Sequence, residues 1–235
     1  MAGRWYRSSR DGRVGPGRAV LADLGDLACG LLAVYQATGE VLRLEQAIAV
    51  IDHTIDHYAD RRSSGTAVGF FDTADDSDTL ILRPRDPTDG AAPSGLSAVT
   101  HALLTAAALT GRSDYRLLAE SSLGSVAPLV QRFPRSAGWH LAAAEALVAG
   151  PLQIAVSGPA GEARDRLAAI ARRRAPAGSV IDVGEPNEPG RELLAHRPTI
   201  AGDPAAYVCR GFVCDRPVTA LGDLLSLLSS PSRMS

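Results

Sequence analysis

The 235-residue sequence has few cysteines, no long apolar run and no excess of charge of one sign. Three cysteines, Cys29, Cys209 and Cys214, are too few for the disulfide framework of a small secreted domain. The longest apolar runs, such as 141–148, are too short to cross a bilayer, and the N-terminus lacks the apolar core of a signal peptide. These absences predict a cytoplasmic protein with no membrane partner.

The charge balance argues against nucleic acid as a partner. The formal net charge is -2, and the basic run Arg172-Arg173-Arg174 is typical of a solvated helix end. With 46% hydrophobic and 21% charged residues, the chain can bury a substantial core. The composition therefore indicates a globular protein.

Apolar residues recur at helical spacing in consecutive pairs of segments, each pair separated by a Thr-Gly turn. Leu31-Leu32, Thr38-Gly39 and Ala47 reappear 72 residues later as Leu103-Leu104, Thr110-Gly111 and Ala119. A repeated αα-hairpin of this kind is the unit of helical toroids and solenoids. The predicted helices cover 18–38, 41–58, 95–109, 114–132 and, as the start of a third hairpin, 136–149.

The pattern changes after residue 150. A strand at 152–157, a helix at 161–174 and a strand at 180–183 predict a βαβ unit. A hairpin around Arg210-Gly211 and a helix at 219–228 complete the chain. We therefore expect a helical part over 1–150 and a small α/β module over 151–235.

This hairpin decides the role of two cysteines. If Arg210-Gly211 forms its two-residue turn, Cys209 and Cys214 lie diagonally, roughly 7 to 8 Å apart, which exceeds disulfide reach. A zinc site would need more ligands than His196 can supply. Inert buried thiols are the expectation.

The segment 69–95 concentrates the chemistry. Asp72, Asp75, Asp76 and Asp78 lie within seven residues, between Phe70-Phe71 and the strand-like 79–82, so that an Asp-rich β-hairpin is predicted. Crowded carboxylates raise one another's pKa, which lets one act as an acid while another stays a base. The alternative is a hydrated, Arg-paired loop. A calcium loop fits poorly, because Ser77 and Arg83 stand where Gly and Glu are needed.

The histidines and one glycine-rich turn are further candidates for acid-base, metal or cofactor sites. His140, beside Trp139, is the better candidate for a pocket acid or base, whereas His101 is typical of a core or pocket wall. His53 and His57 share a helix face without a third ligand, so no metal site is predicted. The turn 157–161 lacks the GxGxxG and P-loop patterns, so no cofactor is predicted.

A family resemblance lies in residues 69–76, 83–86, 89–91 and 93–95, and also in 10–13, 31–39 and 207–214. Over these residues the sequence resembles the C-terminal half of the YyaL / spermatogenesis-associated protein 20 family, whose members contain a thioredoxin domain. The resemblance implies part of an (α/α)6 barrel of the six-hairpin glycosidase type. It implies a pocket for a carbohydrate-like ligand and acid-base chemistry by Asp or His. The family's thioredoxin-like domain has no counterpart here, so Cys209 and Cys214 are not given its redox role.

The predicted site residues follow from both lines of argument. The candidates for catalysis are Asp72, Asp75, Asp76 and His140. The candidates for substrate binding are Arg10, Asp11, Phe70, Phe71, Arg83, Arg85, Asp86, Asp89, Ser94, Gly95 and Ser97.

Two further hypotheses stand beside the enzyme. Half a toroid would expose apolar helix faces, which predicts a non-catalytic module that pairs with a partner protein or a second copy. The chain is also interpreted as a truncated gene product without activity of its own.

Overall fold

The computed structural model describes residues 4–62, 65–77 and 81–229. Its helical part consists of two hairpins followed by two shorter helices and one longer helix. The first hairpin is α1 (Leu21–Thr38) and α2 (Val41–Tyr58), and the second is α3 (Gly95–Thr110) and α4 (Ser113–Ser125). The remaining helices here are α5 (Ala127–Arg132), the 3-10 turn Pro134–Ser136 and α6 (Gly138–Ala149).

The two hairpins turn in the same way. Gly39 and Gly111 have φ of 77° and 76°, and their amides donate to the carbonyls of Tyr35 and Ala107. Glycine reaches this left-handed conformation without a Cβ clash, so it ends a helix cheaply. The predicted pair of similar αα-hairpins is confirmed.

Helix α3 is the most buried of the helices, packed against α1, α4 and α6. Two glycines let α1 and α3 approach closely. A Cβ on Gly25 would lie 2.7 Å from Ala98 Cβ, and one on Gly95 would lie 2.8 Å from the Ala22 nitrogen. Helix-to-helix contact at this crossing is therefore backbone to backbone.

The predicted helix over 114–132 is two helices. Val126, with φ of -99° and ψ of 2°, separates α4 from α5, and Pro128 follows in the first turn of α5. Proline lacks the amide that would continue α4, but it suits the start of a helix.

The Asp-rich hairpin is placed differently from the prediction. Strand β4 (Ala67–Phe70) pairs antiparallel with β3 (Ala59–Arg61), which directly follows α2, so the hairpin lies before the Asp-rich turn. Asp78 and residues 79–80 lie outside the described residues, and Ile81 and Leu82 belong to no strand. Another short hairpin, β1 (Ser9–Arg10) with β2 (Arg13–Val14), precedes α1.

The C-terminal part confirms the βαβ unit. Strand β5 (Gln153–Ser157) pairs parallel with β6 (Val180–Gly184) through α7 (Glu162–Arg174), and antiparallel with β7 (Ala205–Arg210). The sheet order is β6-β5-β7-β8, with β8 at Val213–Cys214, a 3-10 turn at Glu192–Leu194 and α8 at Leu221–Ser229. The protein is thus mainly α with small sheets.

This sheet is covered on both faces. Ala155 and Tyr207 join the core formed by α1 to α4, whereas Ile154, Val156 and Val208 pack with α7 and α8. Alternation along a strand sends successive side chains to opposite faces. The α/β module therefore shares a core with the helices.

The prediction for the two cysteines is wrong. The turn is Gly211-Phe212, both at positive φ, so that Arg210 faces Val213 and Cys209 faces Cys214 directly. Their Cα atoms lie 3.8 Å apart and the sulfur atoms form a disulfide. Because the turn lies one residue later than predicted, the two cysteines face each other directly instead of lying diagonally.

Among the helices of the described ranges, none combines the length and apolar character needed to span a bilayer.

Candidate functional site

A cavity of about 510 Å³ lies beside the β3–β4 hairpin. Its size falls in the range of small-molecule pockets. Four predicted site residues, Phe70, Asp72, Arg85 and Asp86, line it together. The other lining residues are Arg62, Val68, Gly69, Pro87, Leu96, Ser121, Gly124, Ser125 and Val126.

The segment after β4 is fixed by backbone hydrogen bonds. The Phe71 amide donates to the Tyr58 carbonyl, and the Asp72 amide donates to the Pro84 carbonyl, both at 2.9 Å. The Asp72 carbonyl in turn accepts from the Leu21 amide at 2.9 Å. Asp72 and its neighbour Phe71 are therefore held by the end of α2, the start of α1 and the loop residue Pro84.

Asp72 has the chemistry of a candidate acid. Burial raises its pKa, and the negative charge of Asp86 adds to this effect, although the Asp86 amide, which donates to Asp72 Oδ2 at 2.8 Å, acts in the opposite direction. The Asp86 carboxylate is exposed and accepts from the Thr88 amide at 2.9 Å. Two neighbouring carboxylates in different environments can take different protonation states.

Two arginines contact the ring of Phe71, which lies in the chain between the cavity residues Phe70 and Asp72. The Arg83 and Arg85 guanidinium groups each lie 4.0 Å from the centroid of the Phe71 ring, a cation–π arrangement. Arg85 also pairs with Asp60 at 2.7 Å, and Arg83 donates to the His57 and Thr73 carbonyls. Arg83 thus holds the loop against the end of α2, while Arg85 faces the cavity.

Asp75 and Asp76 face away from the cavity. Asp75 Oδ1 lies 3.0 Å from His57 Nδ1, and Asp76 Oδ2 lies 3.1 Å from Arg18 and 3.4 Å from Arg4. Desolvation acts to raise the pKa of Asp76, but the hydrogen bond and charge of Arg18 and the charge of Arg4 lower it.

His57, Asp75 and Asp76 place their ligand atoms within 4.8 Å of one another, the spacing that a cation would require. The His53 ring lies 4.6 Å from that of His57. The two arginines on Asp76 already compensate its charge. The cluster is therefore an ion-paired surface rather than a set of free ligands.

Asp89 joins the starts of two helices. It is 6% exposed, and its Oδ1 accepts from the Ser94 amide at 2.9 Å and the Ser97 hydroxyl at 2.7 Å. Its Oδ2 accepts from the amides of Trp139 at 2.8 Å and His140 at 3.2 Å. One carboxylate therefore caps both α3 and α6.

The pKa of Asp89 reflects these bonds. Desolvation acts to raise it, but the hydrogen bonds from Ser94, Ser97 and His140 lower it below its ordinary value. Asp89 is held as an anion. This is the state in which a carboxylate caps helices best.

His140 lies buried beside this cap. Its Nε2 is 2.9 Å from the Pro87 carbonyl oxygen and 3.3 Å from Ser94 Oγ. A carbonyl oxygen only accepts, so Nε2 carries the proton and cannot take one from Ser94. The Nδ1 atom is buried with no hydrogen-bond partner within the described residues. The arrangement is one of packing and capping, and it does not form a Ser–His catalytic pair.

The other predicted residues lie apart from the cavity. Arg10 ends β1 and Asp11 begins the exposed turn of the β1–β2 hairpin, with Arg10 Nε 3.8 Å from Asp11 Oδ2. Gly95 makes room for α1, as described above. Their predicted contact with a ligand stays a prediction.

Sequence reasoning missed the wall that α4 contributes. Ser121, Gly124 and Ser125 leave room that larger side chains would fill, and Arg62 closes the side next to β3. The small residues at 121, 122, 124 and 125 were the available signal. It could not be connected with Asp72 without knowing that α4 packs on β4.

Compared with protein-family models and with curated proteins, the chain finds no match that identifies a family.

Proposed function

We propose that the 510 Å³ cavity binds a small, hydroxyl-rich ligand of the carbohydrate class and that Asp72 acts there as a general acid. The observation that carries the proposal is Asp72 itself, a partly buried carboxyl group whose pKa is raised in a cavity that it shares with Asp86. A carboxyl group whose pKa is raised by burial holds its proton more firmly than a solvated one and is suited to donate it to a leaving oxygen.

The surroundings suit such a ligand. Arg62 and Arg85 offer hydrogen-bond donors for hydroxyl groups, and the Ser125 hydroxyl, which donates to the Ser122 carbonyl, can accept one. Phe70 and Leu96 offer apolar surface for the face of a sugar ring. Asp86 supplies a second carboxylate, which could activate water or stabilise positive charge. His140 takes no part in this scheme, because its Nε2 proton is bound to Pro87.

The repeated hairpins support a finer proposal for the fold. We propose that α1 to α4 and α6 form part of an (α/α)6 toroid of the six-hairpin type, and that the chain is related to the YyaL / spermatogenesis-associated protein 20 family. What supports this is the pair of identically capped hairpins, with α3 packed between α1 and α6. In such folds, function is argued from the site and not from the fold.

Thermal unfolding with a panel of mono- and oligosaccharides tests the ligand class. A ligand at 100 times its Kd should stabilise the folded state by about 2.7 kcal/mol. We expect a shift in Tm for the wild type that is lost in Asp72→Asn and in Ser125→Leu, which fills the cavity. Asp76→Asn is the matched control, because Asp76 lies outside the cavity, and it should keep the shift. No shift with any saccharide would overturn the proposal, and hydrolysis of aryl glycosides tests the acid role separately.

A second candidate function rests on exposed apolar side chains. Trp139 is 44% exposed, and Leu141 and Val148 on the same helix, with Leu27 and Val34 on α1, are also exposed. Exposed apolar side chains on two helices are a feature of association surfaces. A non-catalytic module would then be a dimer or a complex in light scattering, whereas a monomer with saccharide-dependent Tm would favour the first proposal.

A further inference from the structure

The Cys209–Cys214 disulfide lies beside a buried arginine. Arg197 is 6% exposed, and its Nη2 atom is 3.4 Å from Cys214 Sγ and 3.7 Å from Cys209 Sγ. Its other hydrogen bonds go to the carbonyls of Glu192 and Ala195. The Phe212 ring lies 5.9 Å from the guanidinium carbon.

This cation has no anionic partner in contact. No carboxylate oxygen lies within 4.0 Å of the Arg197 guanidinium anywhere in 4–62, 65–77 or 81–229, and its Nε atom is buried without a hydrogen-bond partner. A buried charge without compensation is costly. A thiolate formed from either cysteine would supply the missing negative charge.

The two sulfur atoms differ in access. Cys209 is 1% exposed, whereas Cys214 is partly exposed and lines an open cleft of about 730 Å³. The cleft would admit a small molecule. The titratable groups of this cleft, besides Arg197, are Glu192, His196, Tyr207 and Asp215.

We propose that Cys209–Cys214 is a thiol–disulfide exchange site for a low-molecular-weight thiol that enters this cleft, with Cys214 as the sulfur attacked and Arg197 as the group that stabilises the thiolates. The thiolate of the small molecule forms a bond to Cys214 Sγ, the Cys209–Cys214 bond breaks, and its electron pair stays on Cys209 as a thiolate beside Arg197. A second thiol then attacks the sulfur of the bound small molecule and releases Cys214. Two small thiols are oxidised to their disulfide, and the protein disulfide is reduced to two thiols, which keep the two protons or lose them according to pH.

Cys29 provides a reference thiol within the same chain. Burial raises its pKa to about 11, with a smaller contribution from the charge of Asp26. Its sulfur donates to the Ala98 carbonyl at 3.4 Å, and no arginine is among its hydrogen-bond partners within the described residues. After full reduction, Cys29 and Cys214 can be compared in one sample.

The first experiment treats the folded, oxidised protein with millimolar glutathione and maps the adducts by mass spectrometry after an acid quench. We expect a mixed disulfide on Cys214. An adduct on Cys209, or a disulfide that glutathione reduces only after urea unfolds the chain, would overturn the proposal and leave a structural cross-link.

The second experiment follows iodoacetamide alkylation of the reduced protein against pH. The midpoint for Cys214 should lie below the ordinary thiol value of about 8.5, and alkylation at pH 7 should be at least about 10-fold faster than for Cys29. Arg197→Met should raise the midpoint and slow reduction by glutathione about 10-fold, whereas Arg197→Lys should stay close to the wild type. If Arg197→Met does not fold, the pH profile of Cys214 alkylation in the wild type still tests the proposal. A midpoint at or above about 8.5 would contradict the role given to Arg197.

Discussion

The Tyr35 hydroxyl group donates a 2.8 Å hydrogen bond to Asp182 Oδ2, which ties helix α1 to strand β6. The Arg191 guanidinium binds the other oxygen of Asp182, and Arg191 also pairs with Glu188 at 2.8 Å. Asp182 and Arg191 are both buried. This network links the helical part to the sheet through buried polar groups. Burial together with the charge of Asp182 raises the pKa of Tyr35, so the hydroxyl keeps its proton.

Removing members of this network should destabilise the fold to different extents. Tyr35→Phe loses one buried hydrogen bond, for an expected cost of about 1 to 2 kcal/mol in urea unfolding. Asp182→Asn leaves the buried Arg191 charge paired only with Glu188 and should cost about 3 kcal/mol. Tyr6→Phe, at an exposed position, is the control and should change stability by less than about 0.5 kcal/mol. Equal effects of Tyr35→Phe and Tyr6→Phe would contradict the network.

Asp89 should make stability depend on pH. Its pKa is lowered in the folded state, so its contribution is complete above the ordinary value of 3.8 and is lost as pH falls through the folded value. Asp89→Asn cannot accept all four hydrogen bonds and should cost about 2 kcal/mol at pH 7. The difference in unfolding free energy from the wild type should shrink below about pH 4. A difference that stays constant down to pH 2.5 would show that the charge of Asp89 is irrelevant.

Two glycines of α1 should respond oppositely to alanine. A Cβ on Gly25 would meet Ala98 Cβ at 2.7 Å and the Val99 nitrogen at 2.9 Å, so Gly25→Ala should push α1 from α3 and cost about 1 to 3 kcal/mol. Gly30 has open space, and Gly30→Ala should gain about 0.5 to 1 kcal/mol from helix propensity. Thermal unfolding of the two variants checks both signs, and equal responses would contradict the close crossing.

Asp72 and Asp76 should differ in the sign of their effect on stability. The pKa of Asp72 is raised, so its ionisation opposes folding, and its favourable contribution is lost as pH rises through the folded value. Asp72→Asn should therefore raise Tm at pH 7, and the gain should disappear in acid. Asp76 has a lowered pKa, so Asp76→Asn should lower Tm at pH 7. A carboxylate that lowers stability, as expected for Asp72, is typical of a residue kept for a function such as the one we propose for it. The same sign for both variants in a pH series of Tm would refute the assignment.

Much of the helical architecture followed from the sequence, because apolar periodicity and the glycine stops Gly39 and Gly111 act locally. The break at Val126 was missed since the apolar pattern continues through it, although Pro128 gave a local sign. The β3–β4 pairing was missed because Ala59–Arg61 is short and polar and carries no strand pattern.

The cysteine pairing depended on a conformation that sequence reasoning disfavours. Phe212 adopts a φ of 65°, which is costly for a bulky residue, and this moved the turn by one position. Its amide donates to Gln153 Oε1 at 2.7 Å, and its ring packs near Gly111, so contacts from β5 and α3 hold it there. Only part of the candidate site was found from the sequence. Asp72 and Asp86 are close in sequence and were recognised together, whereas the α4 residues of the cavity wall are distant in sequence and were not.

The two-faced burial of β5 bears on how the chain unfolds. Ala155 is enclosed with α1 to α4 and Ile154 with α7 and α8, so neither half retains a complete interior without this strand. If the backbone were cut near Gly150, separating the two fragments would expose Ala155 and Tyr207 on one and their helical partners on the other. The two halves should therefore melt in one cooperative transition, and limited proteolysis at that connection should yield fragments that stay associated until denaturant separates them.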